Sequence, residues 1–155
     1  MVIIMLDDTD RRLLRALQNY PDGGVQDLAE RAGCTTATAT RRLERLRDSG
    51  VLTGQHAVIN WARLGYAVEV SLRFTLDKTS ANAFDEFLAK ARQIAEVVEI
   101  QTFLGRVDVR LAVVARDLGH YQRLYREQIL MLPHIAEIEA LMDVALIKSD
   151  ERLPI

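Results

Sequence analysis

The chain has 155 residues, 49% of them hydrophobic and 27% charged, which is the balance of an ordinary globular protein with room for one medium domain or two small ones. A net charge of −2 excludes a whole-molecule basic footprint, so any nucleic-acid reading has to rest on local charge.

The opening apolar run Met1 to Leu6 has no basic segment before it and meets Asp7 and Asp8 at once. Such a run is too short for a leader or a membrane span, so a cytoplasmic protein with no membrane partner is expected. Leu13, Leu14 and Leu17 then form a helical stripe behind Thr9, the candidate N-cap, and Pro21 with Gly23-Gly24 ends this first helix near Tyr20. A second helix is predicted from Val25 to Ala32, burying Val25, Leu28, Ala29 and Ala32 and stopping at Gly33. Thr35 caps a third helix from Thr36 to Ser49, with Gly50 as its stop. Two short helices joined by Gly33-Cys34-Thr35, with a third ahead of them, make the tri-helical arrangement of a helix-turn-helix. Val51-Leu52 and Ala57-Val58-Ile59 flank the polar turn Thr53 to His56 and read as the two strands of a small wing.

Past Asn60 the period changes. Ala67 to Leu76 alternates as a strand, with Val68, Val70, Leu72 and Phe74 on one face, and Ala83, Phe84, Phe87, Leu88 and Ala91 repeat as a helix. A strand is predicted from Val97 to Leu104. The order then returns: strand Val109 to Ala115, a helix from Leu118 to about Leu130 capped by Asp117, and strand Ile135 to Ile147. On the last strand Ile138, Ala140, Met142 and Val144 are the set expected to be buried. Strand, helix and strand occurring twice is the split βαββαβ unit of a ferredoxin-like fold. The fold class is therefore α+β, with a winged helix-turn-helix over residues 1–60, a linker over 61–66 and a ferredoxin-like domain over 67–155. Strands apolar on both faces, notably Leu111 to Val114, point to self-association.

On an ideal helix Ala39, Leu43 and Leu46 share one face of the third helix and leave Ala37, Thr38, Arg41 and Arg45 near the other. Arg42 lies at the border, suited to a phosphate contact or to packing its stem. Arginine's planar fork matches guanine's two major-groove acceptors or a phosphate, and threonine offers a hydroxyl or a methyl. The helix N-terminus, with Thr35 and Thr36, aims free backbone N–H groups at phosphate, and small residues at Ala37, Thr38 and Thr40 permit close approach to a groove. Four arginines from Arg41 to Arg47 stand against Glu44, before Asp48 is counted. The alternative is a solvated face on which Arg41 and Arg45 pair with Glu44 and Asp48 at three- and four-residue spacing.

The single Cys34 excludes an internal disulfide, and His56, His120 and His134 are scattered without ligand spacing, so no metal or other cofactor is expected. No Gly-x-Ser-x-Gly turn, phosphate-binding Gly-rich loop or cysteine beside a histidine pair is present, and no enzyme activity is expected.

Several stretches share one order with a known family: Leu6-Asp7-Asp8-Thr9-Asp10-Arg11-Arg12-Leu13-Leu14, Leu28-Ala29-Glu30-Arg31, Arg41-Arg42-Leu43 through Leu46, Ser49-Gly50-Val51-Leu52, and Gly54 through Ala57-Val58-Ile59-Asn60 to Leu64-Gly65. Gly105-Arg106-Val107-Asp108, Leu132-Pro133-His134-Ile135, Lys148 and Leu153-Pro154 follow. With all of them in register, the chain resembles the Lrp/AsnC family of leucine-responsive and feast/famine regulators from Leu6 to Ile155, a match that also suggests Met5 as a natural start. The resemblance implies a transcriptional regulator that binds double-stranded DNA as a homodimer, its C-terminal sheets packed together and its dimers gathered into tetramers or octamers. It further implies an amino-acid effector held between neighbouring subunits at the family's Gly-x-x-Asp turn, here Gly105, Arg106, Val107 and Asp108. In that picture Gly105 permits positive φ and close backbone approach, and the Asp108 carboxylate holds an ammonium group.

This chain has Leu104 where a hydroxyl residue commonly precedes the glycine, and Ile138 and Ala140 where threonines are common, which suits a more apolar effector or none. It also has Thr36 in place of proline and Cys34 in place of leucine, changes that bear on operator preference rather than fold. Siroheme decarboxylases resemble the same architecture, but Trp61, Tyr66, His56 and His120 are too dispersed here to make their signature. An assembly or effector module without DNA binding is the other alternative, and it requires the Arg41/Arg45 face to be inert.

Overall fold

The first helix starts earlier than its apolar stripe implies, because a carboxylate rather than a hydroxyl caps it. In the computed structural model, which describes residues 4–145, 147–148 and 152–155, α1 spans Asp8–Asn19 with Asp7 as N-cap, so Thr9, expected as the cap, lies inside the first turn. Asp7 accepts from the Asp10 backbone N–H at 2.9 Å and Asp10 accepts from the Asp7 N–H at 3.1 Å. Two otherwise unpaired helix-end donors are thereby satisfied, which Thr9, two residues later and with Arg12 as its third residue on, cannot do.

Two units divide the described residues, one built from residues 4–58 and 152–155, the other from residues 59–148. In the first, α2 (Val25–Ala32) ends at Gly33, whose φ of 67° is the left-handed conformation that lets the Cys34 N–H turn back to the Ala29 carbonyl at 2.9 Å. Helix α3 (Thr36–Asp48) starts at its expected cap, the Thr35 hydroxyl accepting from the Thr38 N–H at 3.2 Å. Leu13, Ala29, Ala32 and Ala39 pack as one cluster, and Leu14, Leu17, Leu28, Leu43 and Leu46 as another. Alanines at the first contact let the helices approach closely, and leucines fill the wider gap at the second.

The expected wing strands do not form: residues 51–60 contain no strand, and Val58 and Ile59 are exposed. Two residues on one side of a turn offer too few ladder bonds to hold a hairpin in water. The loop is tied by single bonds instead, Leu52 N–H to the Leu46 carbonyl at 2.9 Å and the Gln55 amide to the Pro21 carbonyl at 2.8 Å. A second departure is the C-terminal segment, expected to belong to the second domain. Residues 152–155 lie on α1: the Gln18 amide brackets the Leu153 backbone, accepting from its N–H at 2.6 Å and donating to its carbonyl at 3.2 Å. Arg15 donates to the Ile155 carbonyl at 2.6 Å, and Ile155 packs against the leucine cluster.

The second unit opens with a 3-10 turn, Trp61–Leu64, followed by β1 (Val68–Leu76), α4 (Ala83–Ala91), β2 (Val97–Thr102) and β3 (Val109–Ala115). Helix α5 (Leu118–Leu124) passes into a π turn, Tyr125–Ile129, before β4 (Ile135–Met142). Strand order is β2-β3-β1-β4, every neighbouring pair antiparallel, so β1 and β3 are central and β2 and β4 are edges. Val70, Leu72, Phe74, Val109, Leu111 and Val113 point to the helix-covered face and meet Phe87, Ala91, Leu124 and Ile129. The Phe74 and Phe87 rings meet edge to face at 4.9 Å.

Strand β4 is shorter than expected, ending at Met142 instead of Ile147, and its buried set differs. Ile138 is half-buried, whereas Ala140 and Met142 are exposed and Val144 is 99% exposed. An edge strand is covered by a helix only along part of its length, and beyond that none of the described residues buries it. Strand β2 likewise stops at Thr102, before the expected Leu104.

Candidate nucleic-acid interface

Helix α3 has the two faces its periodicity demands. Ala39, Leu43 and Leu46 are buried; Thr35, Thr36, Ala37, Thr40, Arg41 and Arg45 are exposed, and Thr38 and Arg42 are intermediate. The Thr35 hydroxyl donates to Thr38 Oγ1 at 2.9 Å and that of Thr40 to the Thr36 carbonyl at 2.9 Å. The first turn therefore carries ordered hydroxyls and no acidic side chain.

None of the arginines pairs along the helix with Glu44 or Asp48 among the described residues, as a solvated face would require. Arg42 and Arg45 reach instead to the N-terminus of α1. Arg42 donates through one nitrogen to Asp7 and, at 3.1 Å, to Asp10 Oδ1, while Arg45 donates to Asp10 Oδ2. Asp10 is 0% exposed and every oxygen of its carboxylate is used. The Arg42 guanidinium, with the Asp10 backbone N–H, holds the Asp7 carboxyl down to about 2, and the same two carboxylates raise Arg42 above its usual value. Arg41 makes no ion pair among the described residues. Arg41, Arg42 and Arg45 together border one shallow recess of about 280 Å³.

Sequence reasoning missed the two aspartates, although the signal was present. Asp10 precedes Leu13 and Leu14 by three and four residues, on the stripe that packs inward, so helix periodicity alone carries its carboxylate into the unit.

In the second unit the turn 105–108 does not behave as expected. Gly105 takes no positive φ, and a Cβ added to it would meet nothing within 4 Å, so neither property expected of that glycine is used. Asp108 is 4% exposed and already occupied, accepting from the Leu76 N–H at 2.9 Å and from Lys78 Nζ at 2.7 Å. Burial alone would raise its carboxyl, but these two donors outweigh burial and hold it below the usual carboxylate range. Its carboxylate is a buried anchor between the turn and the end of β1, one oxygen on the Leu76 N–H and the other on the Lys78 ammonium. Arg106 and Val107 instead line a recess of about 470 Å³ with Arg73, Thr75, Glu137 and Glu139. Its ion pairs are loose, Arg73 to Glu139 at 3.6 Å and Arg106 to Glu137 at 3.8 Å.

The histidines stay apart: His134 contacts Glu86 at 2.7 Å and His120 lies 3.5 Å from Glu96. Among the described residues no group of three metal-ligating side chains occurs, and no helix is long and apolar enough to cross a membrane.

Comparisons with known proteins match both units. Residues 69–153 match the Lrp/AsnC ligand binding domain and residues 6–47 the AsnC-type helix-turn-helix domain. A proline dehydrogenase transcriptional activator of Rhodobacter capsulatus is 30% identical over 132 residues, 85% of this chain and 86% of its own length. The DNA-binding transcriptional activator DecR of Escherichia coli K12 is 27% identical over 151 residues, 97% of this chain and 99% of its own. A transcriptional regulator of Neisseria meningitidis, solved as an L-Met complex, superposes with a TM-score of 0.90 at 23% identity, covering 97% of each chain, and attests the fold.

Proposed function

We propose that this chain, which belongs to the Lrp/AsnC family of transcriptional regulators, reads double-stranded DNA with α3 and senses a small molecule with its second unit. It is a DNA-binding transcriptional regulator. In our reading Arg41 and Thr38 contact base edges and Thr35, Thr36, Ala37 and Thr40 allow the N-terminal turn to sit close to the groove. Arg42 and Arg45 take backbone phosphate. The observation that carries this assignment is the recess bordered by Arg41, Arg42 and Arg45, with Arg41 unpaired among the described residues on a face free of acidic groups in its first turn.

Titration of a fragment from upstream of the protein's own gene tests it. Arg41→Ala should lose about 1 to 3 kcal/mol of affinity and relax selection at one base position. Unchanged binding by that variant would remove Arg41 from the contact set, and a wild-type chain that does not bind the fragment would return it to the class of assembly modules.

The effector reading rests on the recess beside the turn. Two arginines and two glutamates with loosened ion pairs form a lining that complements both ends of a zwitterion, so an amino acid fits it better than an apolar ligand. The L-Met complex of the Neisseria regulator supports the same class. A thermal-shift screen of the amino acids should give a stabilising hit that Arg106→Ala abolishes, whereas no shift with any of them would remove this reading. Self-association is proposed from the exposed apolar side chains Leu104, Val144 and Ile147.

A further inference from the structure

A buried carboxylate facing the DNA-reading helix is an unusual device for a protein that must attract a polyanion. Asp10 is 0% exposed and pairs with the two guanidinium groups best placed to meet phosphate. Asp7 adds a second negative charge to the same cluster. If charge alone mattered, these aspartates would weaken DNA binding, since each phosphate contact gains from uncompensated positive charge.

Geometry gives them a different task. Arg42 and Arg45 have long side chains with many rotamers, and a phosphate that captured them from solution would have to freeze that freedom at binding. Here the freezing is done on folding. The Asp10 oxygens divide between the two arginines, Oδ1 to Arg42 and Oδ2 to Arg45, and Asp10 itself is held by the capping bonds of α1. Arg45 nevertheless keeps 53% of its side chain exposed and Arg42 21%, and both remain on the rim of the recess they share with Arg41. A guanidinium has five donors, and the aspartates use one nitrogen of each. We propose that Asp10, with Asp7 supporting it, is a positioning residue that presets Arg42 and Arg45 as a seat for one DNA backbone phosphate. This inference rests on the reading of α3 given above and names carboxylates of α1 as its second half.

The two roles available to the carboxylates predict opposite signs, and the test uses the full-length chain with a mixed-sequence duplex of about 30 base pairs at low ionic strength, because phosphate contacts do not depend on sequence. Asp10→Asn keeps the side-chain shape and removes the charge. It should bind about tenfold more weakly, with the slope of log K against log salt reduced by about one, as in Arg45→Ala. Asp10→Asn added to an Arg42→Ala/Arg45→Ala protein should cause no further loss, because Asp10 acts only through those two arginines. A loss that adds in that background, or an Asp10→Asn protein that binds more tightly than wild type, overturns the proposal. Thermal unfolding of each sample shows whether Asp10→Asn folds. If it does not, Asp7→Asn decides the matter from its half-exposed site: its smaller loss should vanish in an Arg42→Ala background, and an additive loss there is equally fatal. Wild-type protein that fails to bind the duplex, or Arg41→Ala that matches wild type on the fragment from upstream of the protein's own gene, condemns the α3 reading and this inference with it, whereas additive cycles beside an Arg41→Ala weakened on that fragment condemn the inference alone.

Discussion

Asp7 and Asp108 are both carboxylates held below their ordinary range by the folded state, and both link stability to pH. Asp7 falls from the ordinary 3.8 to about 2 under the Arg42 guanidinium and the Asp10 N–H. Asp108 is lowered by Lys78 and the Leu76 N–H in spite of burial. A group with a depressed folded pKa contributes stability that is complete above its unfolded value and disappears as pH falls through the folded one. Stability should therefore be level above about pH 4 and fall as the pH drops towards 2. Asp7→Asn, which retains N-cap ability, should flatten part of that fall when the unfolding midpoint is followed by circular dichroism against pH. A midpoint whose acid dependence is unchanged in the variant would refute the Asp7 assignment. His134 stands out at the same scale: its φ of 62° is left-handed, a conformation that this β4-entry turn imposes on a residue other than glycine.

Between residues and the whole chain, the elements differ sharply in what holds them. Strands β1 and β3 are paired along their full lengths and buried on the helix-covered face, with Leu72, Phe74, Leu111 and Val113 all 0% exposed. Residues 51–60 have no ladder and little burial, so they should open locally at small cost. Amide hydrogen exchange should show residues 53–60 exchanging within the dead time of a manual experiment, while Leu111 and Val113 exchange only through global unfolding. Slow exchange across Ala57 to Asn60 in the absence of DNA would mean that the segment is paired, with a partner outside this chain. Helix α3 lies between these extremes: its inner face is locked by Leu43 and Leu46, and its outer face is ordered by Asp7 and Asp10.

For the molecule as a whole, two units have separate hydrophobic clusters, and the second leaves apolar side chains in water. Met131, Val144, Ile147 and Leu104 are each more than 70% exposed, the apolar side chains from which self-association is proposed. Light scattering behind size exclusion should give a mass at least twice that of the chain, and a monomeric mass at micromolar concentration would remove the case for self-association. The net charge of −2 gives no whole-molecule attraction to DNA; under the proposed reading of α3, the salt dependence of affinity should be that of a small set of phosphate contacts.

Patterns that repeat locally could be read before any coordinates: α2, β1 and β3 follow their apolar periods almost residue for residue, and the buried set Ala39, Leu43 and Leu46 follows from helical spacing alone. Such features depend on a few neighbouring residues and on burial of one face, information that a linear chain carries in full. What needed three dimensions were the long-range pairings. Asp10 with Arg42 and Arg45, Asp108 with Leu76 and Lys78, and Gln18 with Leu153 join residues far apart in the chain through polar groups that have no period. The end of β4 and the missing wing strands belong to the same class, because an edge or a two-residue strand persists only where another surface covers it, and that surface is set by the packing of the rest.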